Sequence, residues 1–423
     1  MKNIFKAPLL FTILAVSISS CGGGGGSDKP SATFHPAQSN SPYKDVLVGC
    51  INPSQSTDLC KLSRLPFIGQ ATNSPTKEDI LAHTITSHPW MATRFSELLD
   101  KMPNDILLLF RGVTGVSIGA DIRPSYYDPS TGAIYLDPAD LWLTKDERST
   151  ISRAPDYRQD FGNELKFSWL WRYVKYNDYA WDDYPLDGVI TNRSIDTIVQ
   201  PMAALLFHEL AHANDFMPPA LLSQVNPQNT VEAQAAVFSP QYISTDLTSR
   251  LPLTSTMLFG VGDVLFHGTK VSSEQKQFTA EQVGLAFAVD GASDAYAYSS
   301  QYEDTAMLFE ETMMKYHFNI DREMAFTDAP TTAKAYCNEY VVRWGVHNRI
   351  GNETVKARAQ VVVQQLLGSS DATKYFIHLP TSRSMNNGWD WCANLSGVGI
   401  NDTGKLQKMS YQSIRESDLR PLH

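Results

Sequence analysis

Along the chain, apolar positions alternate between helical and strand spacing. Thr76 followed by Asp79, ahead of Ile80 and Leu81, has the form of a helix-opening capping box, and Phe95, Leu98 and Leu99 carry a helical spacing to about Asp100. Over 113–122 the pattern turns strand-like, broken by Gly112, Gly115 and Gly119. Tyr126-Tyr127, then Asp128-Pro129-Ser130-Thr131-Gly132, then Ala133-Ile134-Tyr135-Leu136 predict two strands joined by a turn. The strongest stripe is Ile195, Ile198, Val199, Met202, Leu205, Leu206 and Leu210, which predicts a helix over 196–214 stopped by Pro218-Pro219. Residues 221–275, rich in Ser, Thr and Gln, read as loops flanking a cleft. Thr279-Ala280-Glu281-Gln282 opens a helix to Val289, Asp290-Gly291 ends it, and further helices are expected over about 293–314 and 352–367.

Strand signals before the main helix and helical signals after it give an α+β class, mostly helical, with a small mixed sheet ahead of that helix. No internal repeat breaks it up. With 43% hydrophobic and 19% charged residues, the 423-residue chain has the composition of a folded protein. Its net charge of −10 offers no footprint for nucleic acid.

The N-terminus changes the picture. Lys2 and Lys6, the apolar run 7–18 and then Ser19-Ser20 form a secretory signal, too short to span a bilayer, where about 20 apolar residues are needed. Ile18-Ser19-Ser20-Cys21 resembles the lipobox of bacterial lipoproteins, which implies that Cys21 is lipidated and anchors the chain, and Gly22 after it resembles lipoproteins sent to the outer membrane. Several acyl chains, at about 0.8 kcal/mol per buried methylene, make such an anchor nearly permanent. Gly22 to Gly26 form a flexible tether. The expected organisation is a signal over 1–20, anchor, tether and extended lead-in over 21–75, a catalytic unit over 76–330 and a helical C-terminal region over 331–423.

Beyond Cys21, the four cysteines Cys50, Cys60, Cys337 and Cys392 are an even set in an oxidising setting. Of the three pairings, Cys50 with Cys60 and Cys337 with Cys392 is favoured, because it closes one short loop and pins the C-terminal region to itself. A four-thiolate zinc site is the rival, although no C-x-x-C pair occurs.

The candidate chemistry lies near the end of the strongest helix. His208-Glu209-Leu210-Ala211-His212 is an H-E-x-x-H motif. Residues four apart share a helix face, so His208 and His212 can offer two imidazoles to one zinc ion, and Glu209 on the adjoining flank can take a proton from water activated there. A metzincin would carry a third His six residues after His212, where Pro218 stands, so an acidic ligand from a later helix is needed. Glu303 is one candidate, with Tyr296 seven residues before it, and Glu310 and Glu311 are alternatives.

The stretch 208–216 resembles the H-E-x-G-H-A-x-D element of the gluzincin metallopeptidases that include the anthrax lethal factor catalytic domain, and Tyr296-Ala297 followed by Glu303-Asp304-Thr305-Ala306 resembles their Y-A-x5-E-x-x-A-E element. The resemblance implies a zincin-like fold, zinc held by His208, His212 and Glu303, Glu209 as general base, and Tyr296 as the hydroxyl that stabilises the oxyanion. Ala211 replaces a Gly of the family pattern, and Met307 stands where the family commonly has Glu. An edge strand pairs with substrate in zincins, and Ala133 to Leu136 is the candidate here, with a plain core strand as the alternative. Asp215, seven residues after His208, is expected either behind a ligand imidazole or in a helix-end role. His317 could donate to an oxyanion, and Tyr298 and Tyr302 are rivals of Tyr296, all three having packing roles as alternatives.

The expected function is that of a zinc endopeptidase, monomeric and lipid-anchored at the bacterial outer membrane, acting on polypeptides. The alternatives are a non-catalytic surface lipoprotein that binds a partner or carbohydrate around a structural zinc, and a hydrolase of a cell-wall amide.

Overall fold

A computed structural model describes residues 32–52, 60–158, 160–184, 191–331, 336–395 and 415–419; the signal, Cys21 and the glycine tether lie outside them. The described residues are a mixture of α and β structure built on two five-stranded sheets. Strands β1 (His35–Pro36), β2 (Thr84–Thr86), β3 (Gly115–Ile118), β4 (Tyr126–Asp128) and β5 (Ala133–Leu136) form a mixed sheet in the order β1-β2-β3-β5-β4, with β2, β3 and β5 parallel and both outer strands antiparallel. Strands β6 (Phe167–Lys175), β7 (Asp178–Tyr179), β8 (Asp321–Asp328), β9 (Val342–His347) and β10 (Arg383–Ser384) form an antiparallel sheet in the order β10-β9-β8-β6-β7. Among the described residues no helix is long and apolar enough to cross a membrane.

The H-E-x-x-H motif lies on the helix Ile195–Phe216, buried almost all round from Met202 to Asp215, as its apolar stripe and alanines require. One flank packs on β4 and β5, and another on the helix Gln301–Phe318, which brings Glu303. That second helix is tied to the helix Glu353–Leu367 by Arg358, which donates to both carboxylate oxygens of Asp304.

Several elements depart from the expectations. The helical stretch from Thr76 keeps its capping box but ends at Ala82; the β-branched run Thr84-Ile85-Thr86 enters the mixed sheet, and Pro89, at a helix first turn, starts a separate helix Pro89–Leu99. The described lead-in residues, 32–52 and 60–75, are folded onto the body: β1 pairs with β2, and Phe34, Leu47 and Ile51 pack on Ile85, Ala133 and Tyr135. The loops expected over 221–275 include the helices Val231–Phe238, Ile243–Arg250 and Thr256–His267, where Thr230 and Ser255 cap helix starts and do not mark loops. The helix expected from about Ser293 is interrupted, and Ser300 caps the new start by accepting the Glu303 N–H.

The C-terminal region contributes β9 and β10 as well as the helix Glu353–Leu367. Ala133–Leu136 is no edge: β5 sits between β3 and β4, and the free edge belongs to β4, because the hairpin folds back on the outer side. The disulfides are Cys50–Cys60 and Cys337–Cys392.

Candidate metal centre

Two helices converge at one point. His208 and His212, one turn apart, set their Nε2 atoms 3.1 Å from each other. Glu303, in the first turn of its helix, places Oε2 2.9 Å from His208 Nε2 and 3.3 Å from His212 Nε2. Zinc bonds of about 2.0–2.1 Å in tetrahedral array separate ligand atoms by about 3.3–3.4 Å, so this triangle has the size of three corners of such a site or is slightly tighter. Two imidazoles and a carboxylate are also the donor set of catalytic zinc, so the residues present fit the ion. His208 is buried, and Glu303, 20% exposed, is the member that meets solvent.

The electrostatics favour positive charge at this point. Burial by itself lowers the His208 imidazole, but hydrogen bonds to Glu303 and Glu310 outweigh it and push the pKa up to about 10. Burial would raise Glu303, yet the facing His212 and His208 hold its carboxyl well below the usual range. A field that stabilises a proton on His208 would also hold a dication.

Glu209 lies outside the ligand triangle. Burial raises its carboxyl, partly offset by the two histidines and, least, by the backbone of Tyr127 on β4. The edge strand thus lies beside the carboxylate that a general base would use. Tyr296, on the short turn Ala295–Tyr298, stacks its ring on His208 at 6.2 Å between centroids, with Phe266 edge-on at 4.9 Å. Burial and the charge of Glu303 push its phenol well above the ordinary value, which keeps it a hydrogen-bond donor. Its backbone N–H donates to Asp294 at 2.8 Å, and the other Asp294 oxygen accepts from Arg322 of β8 at 2.8 Å.

The rival residues are placed elsewhere or in other roles. Tyr298 donates to Asp290 in the core, and Tyr302 packs on Phe216 and Tyr242. His317 stacks on Phe207 and bonds Asp105 at 2.9 Å, tying its helix to Asn104–Leu109. Glu311, pushed up to about 8 by burial, faces Arg322 at 4.0 Å, and Met307 is buried. Asp215 accepts the Ser244 N–H at 2.8 Å, at the first turn of Ile243–Arg250; seven residues of helix carry it about 10 Å along the axis from His208. Burial raises its carboxyl to about 6.

Glu310 has a role that its reading as an alternative ligand misses. Its Oε2 lies 3.0 Å from His208 Nδ1, on the far side of the ring from the triangle, and its Oε1 accepts the hydroxyl of Tyr173 on β6. The seven-residue spacing from Glu303, nearly two helical turns, puts both on one face and was the available sequence signal. Tyr173 had none, since it arrives through pairing of β6 with β8. Among known protein families, curated proteins and solved structures, none matches this chain.

Proposed function

We propose that this protein is a zinc-dependent endopeptidase of the gluzincin type, with a zincin-like fold, acting on exported or surface polypeptides. The observation that carries the reading is the triangle of His208 Nε2, His212 Nε2 and Glu303 Oε2 beside the buried carboxylate of Glu209. Zinc bound there would polarise the scissile carbonyl and lower the pKa of an attacking water. His208, His212 and Glu303 hold the ion. Glu209, raised by burial, accepts the proton of the attacking water and passes it to the leaving amine. The Tyr296 hydroxyl donates to the oxygen on which negative charge develops.

The free edge of β4 offers main-chain groups to a substrate strand next to Glu209. Among the described residues no fourth His, Cys, Asp or Glu joins the triangle, which supports a catalytic over a closed structural zinc site. Cys21, acylated, would hold a monomeric enzyme at the bacterial outer membrane.

Glu209→Gln tests the mechanism. Purified variant and wild type are assayed for zinc content and for hydrolysis of an unstructured protein. Zinc should persist at one equivalent while hydrolysis falls by at least about 100-fold. Retained hydrolysis would sink the assignment.

A further inference from the structure

His208 is gripped at both ends of its ring. Nε2 belongs to the triangle, and Nδ1 faces Glu310 Oε2 at 3.0 Å. The Glu310 side chain is 0% exposed, so water does not compete for its oxygens, and both are engaged: Oε2 by the imidazole and Oε1 by the Tyr173 hydroxyl. Arg322 of β8 stands 4.0 Å from Oε1, over the rings of Trp171 and Tyr173, and balances the buried charge. Two strands of the antiparallel sheet therefore reach the back of the imidazole.

We infer that Glu310 is a positioning residue that orients the His208 ring toward the metal through Nδ1, and that Tyr173 acts on the metal centre through Glu310. The inference rests on the metal site proposed above, but not on hydrolysis. With Nδ1 held by the carboxylate, Nε2 is the nitrogen turned to the triangle, so the ring angle and the atom that meets the ion are set before the ion arrives. Tyr173 removes the freedom of Glu310 to rotate, because its hydroxyl fixes the oxygen that does not face the histidine. The supporting sheet thereby becomes part of the site's affinity for metal.

The test is Zn2+ binding by the full chain in competition with a chelating dye, alongside thermal unfolding of the metal-free proteins. Glu310→Ala should weaken zinc binding by about 10–100-fold, and Glu310→Gln, which keeps an acceptor for Nδ1–H, by less. Tyr173→Phe should weaken binding in the wild-type background, by no more than about tenfold, and add little in the Glu310→Ala background. A purely structural Glu310 would shift metal-free unfolding and leave the two substitutions additive. Should Glu310→Ala not fold, Glu310→Gln with Tyr173→Phe decides the same question.

Zinc affinity unchanged in the folded Glu310 variants, or an additive cycle, overturns the inference. A wild-type chain that takes up no zinc overturns it together with the proposed function. Zinc uptake with the expected cycle but no hydrolysis overturns the peptidase reading alone.

Discussion

Arg358 joins the helix carrying Glu303 to the helix behind it, and cutting that tie allows a worked prediction. Its guanidinium donates to both oxygens of Asp304 and to the carbonyls of Leu251 and Gly291, and the paired side chains are 2% and 3% exposed. Arg358→Met keeps much of the apolar stem and strands the carboxylate, a change that typically costs about 3–5 kcal/mol. Asp304 can escape by taking a proton. From an ordinary value of 3.8, neutralisation at pH 7 costs about 1.4 kcal/mol per unit over about three units, or about 4 kcal/mol, and about 2 kcal/mol at pH 5.

Burial already raises Asp304 even beside Arg358, and removal of the arginine raises it further. An acid whose folded pKa is raised favours the folded state at low pH and loses that contribution as pH climbs through the folded value. The deficit of Arg358→Met should therefore be larger at pH 7 than at pH 5. Urea unfolding followed by tryptophan fluorescence at both pH values measures it. The double variant Asp304→Leu/Arg358→Met, which removes both charges, should recover at least about 2 kcal/mol. A deficit independent of pH, or a double variant no more stable than the single one, would refute the reasoning.

Two other predictions concern the covalent links. Opening Cys337–Cys392, which spans 55 residues, should cost about 4 kcal/mol and opening Cys50–Cys60, which spans 10, about 3 kcal/mol, by loop entropy; urea unfolding of paired Cys→Ser variants checks the order, and a larger loss at the short loop contradicts it. Cys21→Ser should end incorporation of labelled fatty acid and free the protein from the membrane fraction; a variant still labelled and membrane-held would put the anchor at another residue.

How far each element was legible depended on how local its cause is. The motif helix follows from its own stripe, and the hairpin of β4 and β5 from Asp128 and Gly132, a turn in which Gly132 takes a positive φ. Thr230 and Ser255 misled because the residues that favour loops also cap helices, and only packing decides between the two roles. Phe167–Lys175, with aromatic and apolar residues on both faces, lacks the alternation of a half-exposed strand and is buried along most of its length. The pairing of His208 with His212 was legible because the helical period sets them on one face; Glu303 came through the resemblance, and its first-turn position was not legible, because the helix was expected to start near Ser293 and not after Ser300. Tyr173 and Arg322 were not legible either, since partners brought by strand pairing across distant segments leave no periodic trace.

The spacing of the ligands also sets an order of events. Glu303 lies 95 residues beyond His208, and the helices Val231–Phe238, Ile243–Arg250, Thr256–His267 and Ala280–Val289 fold between the two histidines and the carboxylate. No local fragment of the chain contains the complete donor set, so binding of the proposed zinc would be a property of the finished fold and not of the motif. A chain that crosses a membrane unfolded would then travel without the proposed metal, and the proposed hydrolytic activity would be the last attribute it acquires, at the place where it is used.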